Sequence, residues 1–281
     1  MTAGTGEYSD VEYVFEPHRP ELPDLREYVQ ALWDRRQFMV ELARADLRAT
    51  RSRTALGSLW GLIDPLFQAA IYFFLYSVLR EGQNAAFLPV LIGGIFLFGL
   101  TTAAFGEGGG SIRRAKTLML SSSFPRALLP ITAVYKSLRQ FGLNAAVFAV
   151  IFPLVGGKIG AGLFVLPLLF ALQVVMNVGI ALLVATYVVL VPDATKVINY
   201  VTRVLFFATP VIYPVTLLPP GAKLLVGWQP FFPLFSGYQA IFSGGVPSPS
   251  QVLFSALWAA ALLCAGGVIF LRREREFAIH L

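Results

Sequence analysis

Charged residues are scarce in this chain of 281 residues, where they make up only 14% of the composition. Soluble domains usually carry about 25%. Hydrophobic residues account for 56%, and the mean hydropathy is +0.68. A composition this apolar excludes an ordinary soluble domain and indicates a protein that crosses a membrane several times.

The residues that most enzymes use for catalysis or metal binding are nearly absent as well. The single cysteine, Cys264, lies in an apolar run, and the two histidines, His18 and His280, lie near the two ends. The aspartates form no paired-carboxylate motif, and no cluster has the spacing of metal ligands. The sequence therefore predicts that this chain is not an enzyme and holds no metal ion.

A phosphate-binding loop is also missing. The pattern G-x-x-x-x-G-K-[ST] does not occur, and the glycine run at residues 106–110 lacks the lysine and the hydroxyl residue of such a loop. We interpret this run as a flexible or tightly packed start of a helix. Any ATP and Mg²⁺ used by the protein are therefore expected on a separate chain.

Long apolar runs with short polar connections dominate the sequence after residue 56. A bilayer core about 30 Å thick needs roughly 20 apolar residues in a helix. Six runs meet or approach this length, so we predict an all-α polytopic membrane protein with a spanning domain at residues 56–271. The six predicted spans are residues 59–79, 85–105, 135–155, 163–191, 197–213 and 252–271.

Three further segments are predicted not to span. Residues 1–23 are acidic and contain several prolines, which is typical of a flexible tail. Residues 24–55 place apolar side chains at helical spacing among arginines, which predicts an amphipathic helix at the membrane interface. Prolines divide residues 215–248 into two apolar pieces too short to span, which predicts a re-entrant helix pair on the outer side. The alternative for this last segment is an interfacial loop anchored by aromatic residues.

The basic residues are distributed unequally between the two sides of this predicted bundle. Of the 22 lysines and arginines, 19 fall on the side of the N-terminal segment and the tail 272–281. Only Arg80, Lys158 and Lys223 fall on the other side. Because basic segments stay in the cytoplasm, both termini are predicted to be cytoplasmic. Orientation and contact with anionic lipid explain the net charge of +6 better than nucleic acid does. No apolar signal-peptide core precedes residue 56, so we expect the first span to be an uncleaved insertion signal.

Three short motifs follow one another along this plan. They are L-G-S-L-W-G-L-I-D-P at residues 56–65, F-P-R-A-L-L-P at residues 124–130 and T-P-V-I-Y-P at residues 209–214. With six spans in this orientation, the chain resembles the permease subunits of ABC-2 type polysaccharide exporters, the Wzm/TagG group, over about residues 35–280. Members of this group export O-antigen, teichoic acid or cell-wall galactan.

The sequence departs from the pattern of this group at several positions. Gln229 replaces the asparagine of N-P-x-x-P, Gln239 replaces the arginine of Y-R, and Pro192 replaces the arginine of R-D. Asp64 stands where the group often has glutamine. We interpret Asp64 as capping a kink or pairing with a cytoplasmic arginine rather than relaying protons. Roles that need the lost side chains are not carried over to this chain.

The resemblance implies a homodimer of this chain bound to two copies of an ABC ATPase subunit in the bacterial cytoplasmic membrane. It also implies that a polysaccharide linked to polyprenyl pyrophosphate passes through a channel at the dimer interface, while the ATPase binds ATP and Mg²⁺. The chain has 17 arginines and 5 lysines, which suggests a GC-rich genome and, within this group, favours a cell-wall galactan.

Two other functions stay open from the sequence. An ABC-2 exporter of a drug or a small lipid has the same six-span plan. An ion-coupled carrier is the other alternative, but such carriers place ionisable residues within their spans. Here we note only Asp64 in the first predicted span, with Gln173 and Asn177 in the fourth.

Candidate site residues follow from the chemistry of a lipid-linked sugar polymer. Sugar rings pack on aromatic faces, arginines attract a pyrophosphate linker, and basic cytoplasmic segments are available to contact an ATPase. The channel candidates are Trp60, Tyr72, Phe73, Tyr76, Phe98, Phe105, Phe206 and Tyr213; the candidates for substrate access and the linker are Arg51, Arg53, Leu56, Gly57 and Asp64; the ATPase-coupling candidates are Arg44, Arg48, Arg113, Arg114 and Lys116.

Overall fold

The computed structural model of the chain describes residues 24–51, 59–79, 87–121, 124–191 and 193–280. All regular structure in these ranges is helical, which confirms the all-α prediction. The predicted tail 1–23 lies outside the described residues. The helices are α1 (Leu25–Asp34), α2 (Arg36–Arg51), α3 (Trp60–Leu79), α4 (Leu88–Ala103), α5 (Gly109–Arg114), α6 (Lys116–Ser121), α7 (Leu128–Leu154), α8 (Leu166–Leu190), α9 (Ala194–Ala208), α10 (Pro220–Val226), α11 (Phe231–Phe242), α12 (Pro249–Arg273) and α13 (Phe277–His280).

Four helical segments among the described residues are long and apolar enough to cross a membrane. They are Leu88–Arg114, α7, α8 and Pro249–His280, and they overlap the predicted second, third, fourth and sixth spans. The first predicted span overlaps α3, which has 20 residues. The fifth overlaps α9, which has 15 residues and a length of about 22 Å. The protein is thus a multi-helix membrane protein, while the count of six spans stays a prediction.

The helix ends differ from the predicted span ends for local reasons. The second span was predicted to end at residue 105, but a π-helical turn, Ala104–Gly108, joins α4 to α5 and continues the helix to Arg114. Gly108 and Gly109 of this stretch pack tightly against α8, because a Cβ on Gly109 would overlap the side chain of Val184 and one on Gly108 would overlap Ala181. By contrast, α9 ends at Ala208, since Pro210 favours an extended conformation in the residue before it.

The contact between α8 and α12 is the most extensive between any two described helices. It depends on glycine, because a Cβ on Gly266 would overlap the carbonyl oxygen of Gly179 across the interface. Small residues let membrane helices approach closely, and close approach increases their van der Waals contact. This helix pair therefore forms the centre of the bundle, against which α5 and α11 also pack.

The segment between α9 and α12 contains two short helices, and the second is surrounded by protein. In α11, residues 231–238 are all buried, and the helix contacts α4, α8 and α12. The first helix, α10, is mostly exposed. Two short helices were predicted for residues 215–248, and their re-entrant placement in the bilayer stays a prediction.

The two glutamines that depart from the resembled pattern attach this segment to the end of α9. Gln239 donates hydrogen bonds from Nε2 to the carbonyl oxygens of Pro210 and Tyr213, both at 2.7 Å. Gln229 donates from Nε2 to Oγ1 of Thr209 at 3.2 Å. Backbone carbonyls in an irregular buried loop need such partners, so both glutamines have a structural role here.

The described part of the predicted amphipathic segment, residues 24–51, forms two helices instead of the single helix expected, because the chain turns at Arg35 between α1 and α2. The first helix is tied to the end of α12. Tyr28 donates from its hydroxyl to Oε2 of Glu274 at 2.8 Å, and the backbone N–H of Arg126 donates to Oε1 of the same carboxylate at 2.6 Å. Burial, and secondly the nearby Glu274 carboxylate, raises the pKa of Tyr28, so this phenol stays a neutral donor.

Replacement of Glu274 by alanine is expected to release α1 from the bundle. The change removes the acceptor of two hydrogen bonds in a partly buried position, which costs about 1–3 kcal/mol. We expect a lower thermal unfolding midpoint in detergent and faster tryptic cleavage at Arg35 and Arg36. Glu276→Ala is the control, because Glu276 makes only an exposed ion pair with Arg273, and its loss is worth about 0–1 kcal/mol. Equal effects of the two substitutions would contradict this account.

The α8–α12 contact is tested by a pair of neighbouring glycines. Gly266→Ala forces the two helices apart and is expected to cost about 1–3 kcal/mol, as overpacking does. Gly267→Ala meets no atom within 4 Å and is expected to leave stability unchanged or raise it by up to about 1 kcal/mol. The unfolding midpoint of each purified variant measures the difference, and a tolerated Gly266→Ala would refute the close packing.

Candidate functional site

A cavity of about 490 Å³ lies between α3, the Leu88–Arg114 helix, α7 and α9. We call it the polar crevice, because three of these helices turn polar side chains towards it. The polar lining residues are Asp64 and Gln68 on α3, Thr102 and Glu107 on the Leu88–Arg114 helix, and Ser137, Gln140 and Asn144 on α7.

Helical spacing explains why these side chains share one space. Asp64 and Gln68 are four residues apart on α3, and Gln140 and Asn144 are four residues apart on α7. Residues at this spacing lie on the same face of a helix. The eight residues from Ser137 to Asn144 extend about 10 Å along α7, so the polar wall is about two turns deep. Polar side chains within apolar helices are costly and usually mark a functional path.

Two glycines of the Leu88–Arg114 helix form part of the crevice floor and leave the backbone bare there. Gly99 and Gly106 are seven residues apart, and a Cβ added at either position would meet no atom within 4 Å. Gly106 lies in the π-helical turn Ala104–Gly108, a distortion that is frequent at functional sites. A ligand can therefore approach the main chain of this helix more closely than an ordinary helical face allows.

Asn144 is the most confined polar group of the crevice. The residue is 8% exposed, and its Oδ1 makes no hydrogen bond within the described part of the chain. A buried polar atom without a partner costs about 1–3 kcal/mol. The crevice thus contains an acceptor that a hydroxyl or amide donor would satisfy.

An ion pair connects the crevice with the amphipathic helix α2. The Nζ of Lys136 lies 2.5 Å from Oε2 of Glu107 and 3.9 Å from Oδ2 of Asp46. Because α2 also packs along α7, it is in direct contact with a helix that forms a wall of the crevice. Asp64 forms no ion pair with any described residue, so the arginine partner considered for it from the sequence is not seen there.

Two predicted channel residues, Phe98 and Phe206, line the crevice, with ring centroids 5.2 Å apart. Phe98 is nevertheless buried and packs on Phe231 and Phe235, so its ring mainly supports the wall. Phe206 is half-buried and is the better placed of the two.

The other predicted channel residues are not gathered at the crevice. Trp60 is 45% exposed at the start of α3, and Phe73 and Phe105 pack against the bundle core. Tyr213 donates its hydroxyl to the carbonyl of Ala208 at 2.9 Å. The side chains of Tyr72 and Tyr76 lie outside the described part of the chain.

Of the access candidates, Asp64 lines the crevice, whereas Arg53, Leu56, Gly57 and the side chain of Arg51 lie outside the described residues. The coupling candidates are found on α2, α5 and α6. They are Arg44, which pairs with Glu41 at 2.5 Å, exposed Arg48, half-buried Arg113, exposed Arg114 and exposed Lys116. Arg114 also donates to the carbonyl of Glu107, which supports the π-helical turn.

The sequence reasoning overlooked Gln68, Gln140 and Asn144. Their signal was present, because each belongs to a pair of polar residues four apart within an apolar run. Gln173 was noticed, but it is fully buried and has a structural role. Its Nε2 donates to the carbonyl of Leu97 at 2.7 Å, and its Oε1 accepts from the hydroxyl of Tyr238 at 2.9 Å.

A bundle of apolar helices with a polar crevice connected to an amphipathic helix is the arrangement of a membrane permease. The family model for the ABC-2 type transporter matches residues 36–243, and the chain belongs to this family. The resemblance found in the sequence is thereby confirmed at the level of the family.

Known relatives agree with this assignment. The O-antigen export system permease protein RfbA of Myxococcus xanthus is 24% identical over 253 residues, which cover 89% of this chain and 97% of the relative. Two permeases of the same name from Klebsiella pneumoniae are 20% and 22% identical over 242 and 243 residues. Each covers 86% of this chain and 93% of its own length.

Access of water to the crevice is tested by cysteine labelling. In a Cys264→Ala background, Gln140→Cys is expected to react with a hydrophilic maleimide at least about tenfold faster than Val150→Cys. Both residues are exposed on α7, but Gln140 lines the polar crevice, whereas Val150 belongs to an apolar stretch of the helix. A thiol needs water to form the reactive thiolate, so equal rates at the two positions would show that the crevice is not hydrated.

Proposed function

We propose that this chain is the membrane-spanning subunit of an ATP-driven ABC exporter that moves a lipid-linked polysaccharide out of the cytoplasm. The observation that carries the proposal is the polar crevice, a wall of amides and hydroxyls within a bundle of apolar helices. Hydroxyl-rich sugars need such partners once they leave water. Membership of the ABC-2 family and the names of the relatives support the same function.

The energy would come from a separate ABC ATPase that binds ATP and Mg²⁺. Two copies of this chain would assemble with two ATPase subunits, and both termini would face the cytoplasm. The basic side chains of α2, α5 and α6, among them Arg44, Arg48 and Arg113, are the proposed contact surface. The ion pairs of Lys136 with Asp46 and Glu107 would then carry movement of α2 to the crevice.

The proposed substrate is a polymer attached to polyprenyl pyrophosphate. Its pyrophosphate would meet the arginines near the start of the first span, Arg51 and Arg53, since guanidinium groups bind phosphate oxygens in pairs. Its sugar chain would pass along the crevice and Phe206 towards a channel between two copies of the chain. A cell-wall galactan is the polymer that we favour within this class.

Export of a drug or small apolar lipid receives less support from the crevice. Amide and hydroxyl side chains on three helices would have to lose water without gaining partners around an apolar ligand. An ion-coupled carrier is also less supported, because the ionisable lining groups within the described residues are Asp64 and Glu107, and Glu107 is already paired with Lys136.

Deletion of the gene tests the proposed function in the cell. We expect the polyprenyl-linked glycan to accumulate on the cytoplasmic face and to disappear from the outer face, and the wild-type gene to restore export. Inactivation of the ATPase that copurifies with the chain should have the same effect as the deletion. A glycan that still reaches the outer face in the deletion strain would disprove the proposal.

A further inference from the structure

The geometry points to the polar crevice as a binding site for an uncharged, hydroxyl-rich sugar segment, with discrimination against polymers that carry phosphate in their repeat. This inference rests on the proposed export function and assigns a substrate class to the crevice. Three observations lead to it: the kind of hydrogen-bonding groups, the sign of the charges, and the shape of the floor.

The hydrogen-bonding groups of the crevice match sugar hydroxyls. Gln68, Gln140 and Asn144 carry amides, which both donate and accept, and Thr102 adds a hydroxyl with the same capacity. A sugar hydroxyl likewise both donates and accepts. Asn144 lines the crevice with its Oδ1 buried and without a hydrogen bond among the described residues, so rotation of this amide towards a sugar hydroxyl would gain a hydrogen bond that the free protein lacks.

The charges of the crevice oppose a phosphate. Its ionisable lining groups are the carboxylates of Asp64 and Glu107, and no lysine or arginine belongs to the lining formed by the described residues. The positive charge of nearby Lys136 is balanced by Glu107 at 2.5 Å. Phosphate is bound by arginine, lysine or clustered N–H donors, and a carboxylate repels it because like charges repel. Asp64 therefore favours an uncharged repeat.

The floor and the size fit a sugar ring. Gly99 and Gly106 leave the helix surface without side chains, and Thr102 lies between them in the sequence, so a ring can lie against the backbone and still reach a hydroxyl. The volume of about 490 Å³ lies within the range of about 300–1,000 Å³ of small-molecule sites. The crevice thus holds a short stretch of a polymer, while the rest extends beyond it.

The experiment compares two synthetic probes on the purified permease–ATPase complex in lipid nanodiscs. Both carry the same polyprenyl pyrophosphate; one bears a neutral galactose hexasaccharide and the other a glycerol-phosphate hexamer. Because the linker is identical, its binding by the arginines near the first span contributes equally to the affinities for both probes. We expect the wild-type complex to bind the neutral probe at least about tenfold more tightly than the anionic probe.

Three variants assign this preference to the crevice. Asn144→Leu is expected to lower the affinity for the neutral probe about five- to tenfold, which corresponds to the loss of one or two hydrogen bonds. Asn177→Leu is the matched control, because Asn177 is also a buried amide whose Oδ1 has no partner among the described residues, but it lies on α8 and does not line the crevice. Asp64→Asn is expected to increase the affinity for the anionic probe several-fold and to leave the affinity for the neutral probe little changed.

The outcomes separate the two proposals. The inference is overturned if the wild-type complex binds the anionic probe as tightly as the neutral one, or if Asn144→Leu and Asn177→Leu behave alike. If the Asn144→Leu complex does not assemble, Gln68→Ala is used instead, since Gln68 is an exposed lining residue. Gln68→Ala must then lower the affinity for the neutral probe for the inference to stand. In all these cases the export function itself is unaffected. A wild-type complex that binds and exports neither probe would instead contradict the proposed function.

Discussion

The buried side chain of Gln173 is the interaction on which the arrangement of the bundle depends. From α8 it reaches both α4, through the carbonyl of Leu97 and the hydroxyl of Thr101, and α11, through the hydroxyl of Tyr238. An amide without these partners would be costly in apolar surroundings, so the three helices have one favourable arrangement. Because Leu97 and Thr101 belong to α4, this arrangement also sets the orientation of the face that carries Gly99.

The same physical rule separates structural polar groups from functional ones. Gln173 is fully buried, and groups on two neighbouring helices satisfy its hydrogen bonds, so its role is to hold these helices together. Asn144 is nearly as buried and lines the crevice, but its Oδ1 has no hydrogen-bond partner among the described residues. A folded chain accepts that cost where a solvent or ligand group can recover it. A missing hydrogen bond indicates the site only together with a place in the crevice lining, since Oδ1 of Asn177 also lacks a partner among the described residues but Asn177 does not line the crevice.

Two charged connections attach the N-terminal helices to the bundle. Glu274 joins α1 and the segment before α7 to the end of α12, and Lys136 joins α2 and the π-helical turn to α7. Both connections bring α1 and α2 onto the bundle. The second connection also places α2 against α7, a helix that lines the polar crevice.

The sequence by itself determined the class of this protein and most of its helices. Hydropathy over about 20 residues, proline positions and three ordered motifs were sufficient for the all-α membrane fold and for the ABC-2 family. Local sequence patterns do not show which helix faces meet, so the crevice was not predicted. The polar pairs themselves are visible in the sequence, at residues 64 and 68 of α3 and at residues 140 and 144 of α7. Only the tertiary structure brings these pairs together across a glycine floor, because helix rotation and neighbours are decided by contacts such as those of Gln173 and of Gly179 with Gly266.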